Sequence, residues 1–161
     1  MPHISYTQTA SHLRPGLNIG ERKVAVAQAF STLNSSGLRI DMLVATGISG
    51  IVFGTSLSDM MNLPLAVVRK ESDRSCSGKR VEGPDKTYGG DPLYWVFVDD
   101  LISSGTTYRR VLNAMMDQYG TGQILAGVML YKPRDESSYG IRSLEPKLTA
   151  PVFTLFARQW N

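Results

Sequence analysis

Trp95-Val96-Phe97-Val98-Asp99-Asp100-Leu101-Ile102-Ser103-Ser104-Gly105-Thr106-Thr107 is the stretch whose reading decides the fold. Its first four residues are apolar without alternation, which predicts a strand buried on both faces. The run ends abruptly in two carboxylates, and a small, hydroxyl-rich, glycine-containing turn then opens a helix. Backbone N–H groups of such a turn, the Ser and Thr hydroxyls and the helix N-terminus together suit a phosphate. Paired carboxylates at the strand end can accept hydrogen bonds from sugar hydroxyls or orient a hydrated divalent cation beside that phosphate. The implied ligand is a sugar phosphate.

This order of apolar strand, two acids, two apolar residues and small-small-Gly-x-Thr resembles the phosphoribosyl pyrophosphate (PRPP) motif of the type I phosphoribosyltransferases. The resemblance implies that Ser103, Ser104, Gly105, Thr106 and Thr107 hold the 5′-phosphate. It also implies that Asp99 and Asp100 contact the ribose 2′- and 3′-hydroxyls. A receiver-like acidic pair that binds Mg²⁺ is the competing use of the same residues.

Outward from this motif, strands and helices alternate. A helix is predicted from Gly20-Glu21 through Val24, Ala27, Phe30 and Leu33, stopped by Asn34-Ser35-Ser36-Gly37. Ile40 to Ala45 reads as a strand, Ile51 to Asn62 as a helix packing through Val52, Leu57, Met60 and Met61, and Pro64 to Arg69 as the next strand. Tyr94 to Val98 is the motif strand, Thr106 to Tyr119 its helix, and Ile124 to Tyr131 and Pro151 to Ala157 are the last strands. This alternation predicts a single α/β domain over residues 1–161, a mainly parallel sheet with helices on both faces and ligands at the carboxyl ends of the strands. Residues 71–92 are polar, without period, and long for a connection inside a small domain, which points to a mobile active-site lid.

Bulk properties set limits. A chain of 161 residues suits one core. The net charge of +3 and pI near 9.1 suit attraction of a polyanionic small substrate, and no concentrated Lys/Arg stripe marks a nucleic-acid surface. Cys76 is the only cysteine, so no intrachain disulfide forms. No apolar run is long enough to span a bilayer, and the expected location is the cytoplasm.

The turn Ala45-Thr46-Gly47-Ile48-Ser49-Gly50 follows the first strand, and its glycines let backbone amides approach a ligand. In the resembled family this turn holds the diphosphate with its Mg²⁺, which assigns that role to Thr46, Gly47, Ile48, Ser49 and Gly50. Val68-Arg69-Lys70-Glu71 looks like the basic pair of orotate phosphoribosyltransferases, and Gly78-Lys79-Arg80-Val81-Glu82-Gly83 looks like their mobile loop. Arg69 and Lys70 are then diphosphate ligands, and Lys79 or Arg80 arrives as the catalytic cation when the lid closes, often across a homodimer interface. The loop departs from the family's Lys-x-His-Gly order, carrying Asp73-Arg74-Ser75-Cys76 near that place.

Ribosyl transfer develops positive charge on the sugar and negative charge on the leaving diphosphate. Such a reaction needs cations and N–H donors more than a nucleophile. Ser49 accordingly is no hydrolase nucleophile, since it lacks a neighbouring histidine and the Gly-x-Ser-x-Gly elbow; His3 and His12 both lie near the N-terminus. Ser103 stands where 6-oxopurine enzymes of the family place an aspartate, which resembles the orotate and adenine enzymes instead. Lys132, in Leu130-Tyr131-Lys132-Pro133, resembles a base-contacting Lys-Pro of 6-oxopurine enzymes, and Trp160 can stack on a base. Residues 1–20 and 132–161 are the candidate hood over the nucleobase. The resemblance implies transfer from Mg²⁺-PRPP to a nucleobase, orotate first and a purine second. A PRPP-sensing regulator that binds nucleic acid with the same fold is the alternative.

Overall fold

A computed structural model describes residues 14–70, 78–85, 91–132 and 150–155. Helix α1 (Arg14–Leu17) leads into α2 (Ile19–Asn34), whose N-terminus is capped by the Asn18 side chain accepting from Gly20 N (3.0 Å) and Glu21 N (3.1 Å). Strand β1 (Met42–Thr46) is buried along its whole length, as a continuous apolar run in a central parallel strand should be. It passes directly into α3 (Gly47–Met61), which ends at Asn62 in the left-handed conformation. Then come β2 (Leu65–Val68), β3 (Val81–Glu82), β4 (Leu93–Asp99), α4 (Thr106–Tyr119), a 3-10 turn (Gly120–Gly122), β5 (Gln123–Leu130) and β6 (Val152–Thr154).

The sheet order is β3-β2-β1-β4-β5-β6, with only the β2–β3 pairing antiparallel. Alternate residues of the central strands feed separate cores. Met42, Val44, Trp95 and Phe97 pack with Val111, Ala114 and Met115 of α4, whereas Leu43, Val96 and Val98 pack with Ala25, Val26 and Leu33 of α2 and Phe53 and Leu57 of α3. The sheet is therefore covered on both faces, and this is the predicted α/β architecture. From β1 the chain moves outward to β2 and β3, then returns past β1 to β4. The carboxyl ends of β1 and β4 thus flank the point where strand order reverses, and this is where doubly wound sheets open a crevice.

Three local expectations change. On α2 the predicted face of Val24, Ala27, Phe30 and Leu33 is turned: Val24 is 45% exposed and Ala27 is exposed, while Ala25, Val26 and Ala29 join Leu33 inside. Small residues at i, i+4 let α2 lie against α3, and that close approach outweighs burying the larger Val24. On α3, Met60 is 46% exposed and Phe53 takes the core position beside Leu57. Finally, residues 71–92 are not one unstructured lid, because Val81–Glu82 adds an edge strand with register Val67↔Glu82 and Val68↔Val81. Val81 is buried and anchors it. Residues 71–77 and 86–90 of that stretch lie outside the described residues, as do residues 1–13, 133–149 and 156–161 of the expected hood, Trp160 included.

Candidate functional site

The crevice between the ends of β1 and β4 is an open cleft of about 480 Å³. One wall is the first turn of α3. Residues Gly47 to Gly50, expected as a free turn, are already helical, and Gly47 adopts φ +66°, which favours a residue without a side chain. Thr46 precedes the helix without capping it by its side chain, so the first-turn N–H groups keep their hydrogen-bonding capacity for a ligand. The other wall is the loop from Asp100 to Gly105, with Gly105 at φ +76° as an N-cap that has no side chain to offer, only the Thr106 N–H donating weakly to Ser104 Oγ at 3.4 Å. Two helix N-termini, one from each face of the sheet, therefore open onto the same cleft.

Contacts across the floor lock these walls together. Ser49 Oγ donates to Asp99 Oδ1 at 3.2 Å, and the Asp100 N–H donates to the same oxygen at 2.9 Å. A Cβ at Gly50 would lie 2.9 Å from the Val98 carbonyl oxygen and 3.4 Å from Asp99 Oδ1, so only glycine lets α3 start this close to β4. Thr46, 2% exposed, donates from Oγ1 to the Val68 carbonyl (2.7 Å) and accepts from Arg110 Nη2 (2.9 Å). Beyond the strand end, Tyr131 N donates to Asp99 O and Lys132 N to Asp100 O, both at 3.1 Å, which extends the β4–β5 ladder under the acid pair.

Burial dominates the electrostatics. Asp99 and Asp100 are 6% and 8% exposed. Desolvation, reinforced by the hydrogen bond and negative charge of Asp100, pushes the Asp99 carboxyl up to about 8. Burial thus favours the protonated form of Asp99, which can donate as well as accept and so suits a vicinal diol. Tyr108, which lines the cleft and tilts against Phe97 with ring centroids 6.0 Å apart, is pushed up to about 12 by burial. Tyr131, stacked on Phe53 at 4.2 Å, is pushed higher still by burial and by the charges of Asp100 and Asp99.

Of the residues singled out from sequence, Thr46, Gly47, Ile48 and Ser49 line the cleft on one side. Asp99, Asp100, Ser103, Ser104, Gly105 and Thr107 line it on the other, and Lys70 reaches it from the end of β2. Gly50 lies beneath, and Thr106 is exposed beside the loop, its Oγ1 3.0 Å from Ser104 Oγ. Four basic residues do not line the cleft. Arg69 Nε pairs with Glu82 Oε1 at 3.3 Å, and Arg80 Nη1 pairs with Asp117 Oδ2, on the last turns of α4, at 3.5 Å. Lys79 is exposed near the β3 edge, and Lys132, outside the cleft lining, donates its backbone N–H to the Asp100 carbonyl. Four lining residues were not among the candidate site residues: Leu101 and Ile102 inside the motif, and Tyr108 and Arg110 beyond it. Arg110 stands three residues after Thr107 and so shares its helix face, a signal that was present.

These features define a doubly wound α/β protein with a cleft at its switch point onto which two helix N-termini open. The model of the phosphoribosyl transferase domain matches residues 17–139, and the chain belongs to that family. It is 32% identical to an orotate phosphoribosyltransferase of Streptococcus agalactiae over 79 residues, 49% of this chain and 36% of the relative. It is 36% identical to a hypoxanthine/guanine phosphoribosyltransferase of Methanopyrus kandleri over 86 residues, 48% of this chain and 46% of the relative. The chain thus spans less than half the length of these relatives. The fold is similar to orotate phosphoribosyltransferase of Francisella tularensis, with TM-score 0.65 and 18% identity over 86% of this chain and 67% of that one. It is equally similar to adenine phosphoribosyltransferase of Thermoanaerobacter pseudethanolicus, with TM-score 0.64 and 16% identity over 86% and 81% of the two chains. Among the described residues no helix is long and apolar enough to cross a membrane.

Proposed function

We propose that this protein transfers the 5-phosphoribosyl group of PRPP to a nucleobase, giving a nucleoside 5′-monophosphate and diphosphate. The observation that carries this reading is the convergence of two helix N-termini on one cleft with a buried acid pair between them. PRPP bears a phosphate at one end, a diphosphate at the other and a diol between, and each meets a matching group. In this reading Ser103 to Thr107 take the 5′-phosphate, and Asp99 and Asp100 take the ribose hydroxyls. The first turn of α3 and Lys70 take the diphosphate. Negative charge grows on the diphosphate as the C1′–O bond breaks, and fixed N–H donors and cations lower that barrier.

Magnesium fits as an ion carried in on PRPP. Among the described residues no group of three or more His, Cys, Asp or Glu side chains is arranged to hold a metal. Two carboxylates with phosphate oxygens and water are a donor set that Mg²⁺ accepts. Asp99 and Asp100 would hold it through water, and the ion would neutralise charge on the leaving diphosphate.

Orotate is the first base and a purine, adenine or a 6-oxopurine, the second. Ser103 in place of an aspartate supports orotate or adenine over a 6-oxopurine, and the similarity to both orotate and hypoxanthine/guanine relatives supports keeping both classes. Lys79 and Arg80 reach a diphosphate in this reading only by movement of their loop or from a second copy in a homodimer. An assay of diphosphate release from Mg²⁺-PRPP with orotate, uracil, adenine, hypoxanthine, guanine and xanthine tests the proposal. Release with one base is expected. PRPP binding without release from any base would favour the regulator instead.

A further inference from the structure

A diphosphate needs cations, yet of the five basic residues singled out from sequence only Lys70 lines the cleft. The second lining cation is Arg110, which comes from the other face of the sheet. From the second turn of α4 its guanidinium reaches across the end of β4 and donates to Thr46 Oγ1 at 2.9 Å. Thr46 commits its own proton to the Val68 carbonyl at 2.7 Å, so toward Arg110 it acts as an acceptor. The guanidinium is thereby held at the β1 and β2 strand ends, beside the first turn of α3. Its neighbour Arg109 is exposed and donates to the Ser104 carbonyl at 3.3 Å, on the opposite side of the cleft.

Arg110 is half-buried, and no carboxylate pairs with it among the described residues. Its Nε is buried without an acceptor. A half-buried cation with a desolvated, unpaired N–H and no counter-charge is costly unless something completes it. A guanidinium presents five donors in a planar fork that matches phosphate oxygens, and Thr46 uses one of them. Arg110 lines the same cleft as the α3 N-terminus and Lys70.

We infer that Arg110 is a diphosphate-binding residue, clamped by Thr46 so that a fixed cation from α4 stands at the diphosphate end of the cleft. This rests on the PRPP reading and adds a ligand to it. Since the first-turn amides of α3 and the Arg110 guanidinium come from elements on opposite faces of the sheet, the diphosphate would be gripped from both.

Titration calorimetry of the wild type, Arg110→Gln and Arg110→Lys with magnesium diphosphate and, separately, ribose 5-phosphate tests the inference. Arg110→Gln should weaken diphosphate by about 10- to 100-fold, the range of a charged hydrogen bond, while leaving ribose 5-phosphate within about threefold. Arg110→Lys, which keeps the charge without the fork, should recover part of the loss. Unchanged diphosphate affinity in Arg110→Gln, or equal weakening of both ligands, would overturn the inference and leave the PRPP reading standing. A wild type that binds neither diphosphate nor PRPP would overturn both.

Discussion

The two strand-to-helix junctions of the cleft are built in opposite ways. At β1–α3 there is no loop. Strand becomes helix at Gly47, Thr46 is buried and bonded on two sides, and Gly50 is pressed against the Val98 carbonyl. At β4–α4 a real loop runs from Asp100 to Gly105, and its Ser103, Ser104, Thr106 and Thr107 side chains stand exposed. The first junction offers backbone amides on a rigid base, and the second adds hydroxyls that turn to fit. In the proposed reaction this would put a rigid grip on the group that departs and an adaptable one on the group that stays, since preorganised donors act where charge develops.

The largest effect should come from the acid pair that joins the junctions. Asp100→Asn and Asp99→Asn should each lower turnover by about 100-fold or more, read as diphosphate release, while circular dichroism stays unchanged. Asp99→Asn carries a second signature. The folded chain holds the Asp99 proton up to about pH 8, whereas the unfolded chain gives it up near its ordinary value of 3.8. Between those values the folded state binds more protons, so this group's contribution to stability is full below about pH 4 and declines as pH rises toward 8. Thermal melts of the ligand-free protein should therefore lose that slope in Asp99→Asn, which should be the more stable protein near pH 8.

At the rigid junction, Gly50→Ala forces a Cβ to within 2.9 Å of a backbone oxygen, with no flexible side chain to yield. It should destabilise the protein by about 1–3 kcal/mol, read by urea unfolding, and should weaken diphosphate more than ribose 5-phosphate. At the loop junction, Gly105→Ala meets the strain of φ +76°, on the order of 1–2 kcal/mol, and should weaken ribose 5-phosphate instead. Smallest should be Ser104→Ala, which removes one exposed hydroxyl and about 1 kcal/mol of ribose 5-phosphate affinity, with stability unchanged. If Gly50→Ala and Gly105→Ala shift both ligands alike, the contrast between the junctions fails.

Parts of the molecule were plain in the sequence for local reasons. The motif helix was expected over Thr106 to Tyr119 and spans those residues, because Gly105 and Gly120 punctuate both ends. The strand before it was expected over Tyr94 to Val98 and extends by one residue at each end. What stayed hidden depends on distant partners. Which side of α2 turns inward is set by how near α3 can come, and side-chain size pointed to Val24 instead. The edge strand at Val81 is two residues long in a polar run and exists because Val67 and Val68 offer it a ladder. Arg110 enters the cleft because Thr46, 64 positions earlier, stands at the end of the neighbouring strand. The acid pair and hydroxyl loop were legible as a unit, whereas of the cations only Lys70 was, since the directions of Arg69 and Arg80 are decided by tertiary partners, Glu82 and Asp117.

The central claim is that the two helix N-termini form one site for the two phosphate-bearing ends of a single ligand. Competition calorimetry with magnesium present tests it most directly. PRPP should displace both diphosphate and ribose 5-phosphate, while those two bind together without displacing each other. Mutual displacement of diphosphate and ribose 5-phosphate, or PRPP that displaces only one of them, would contradict the account.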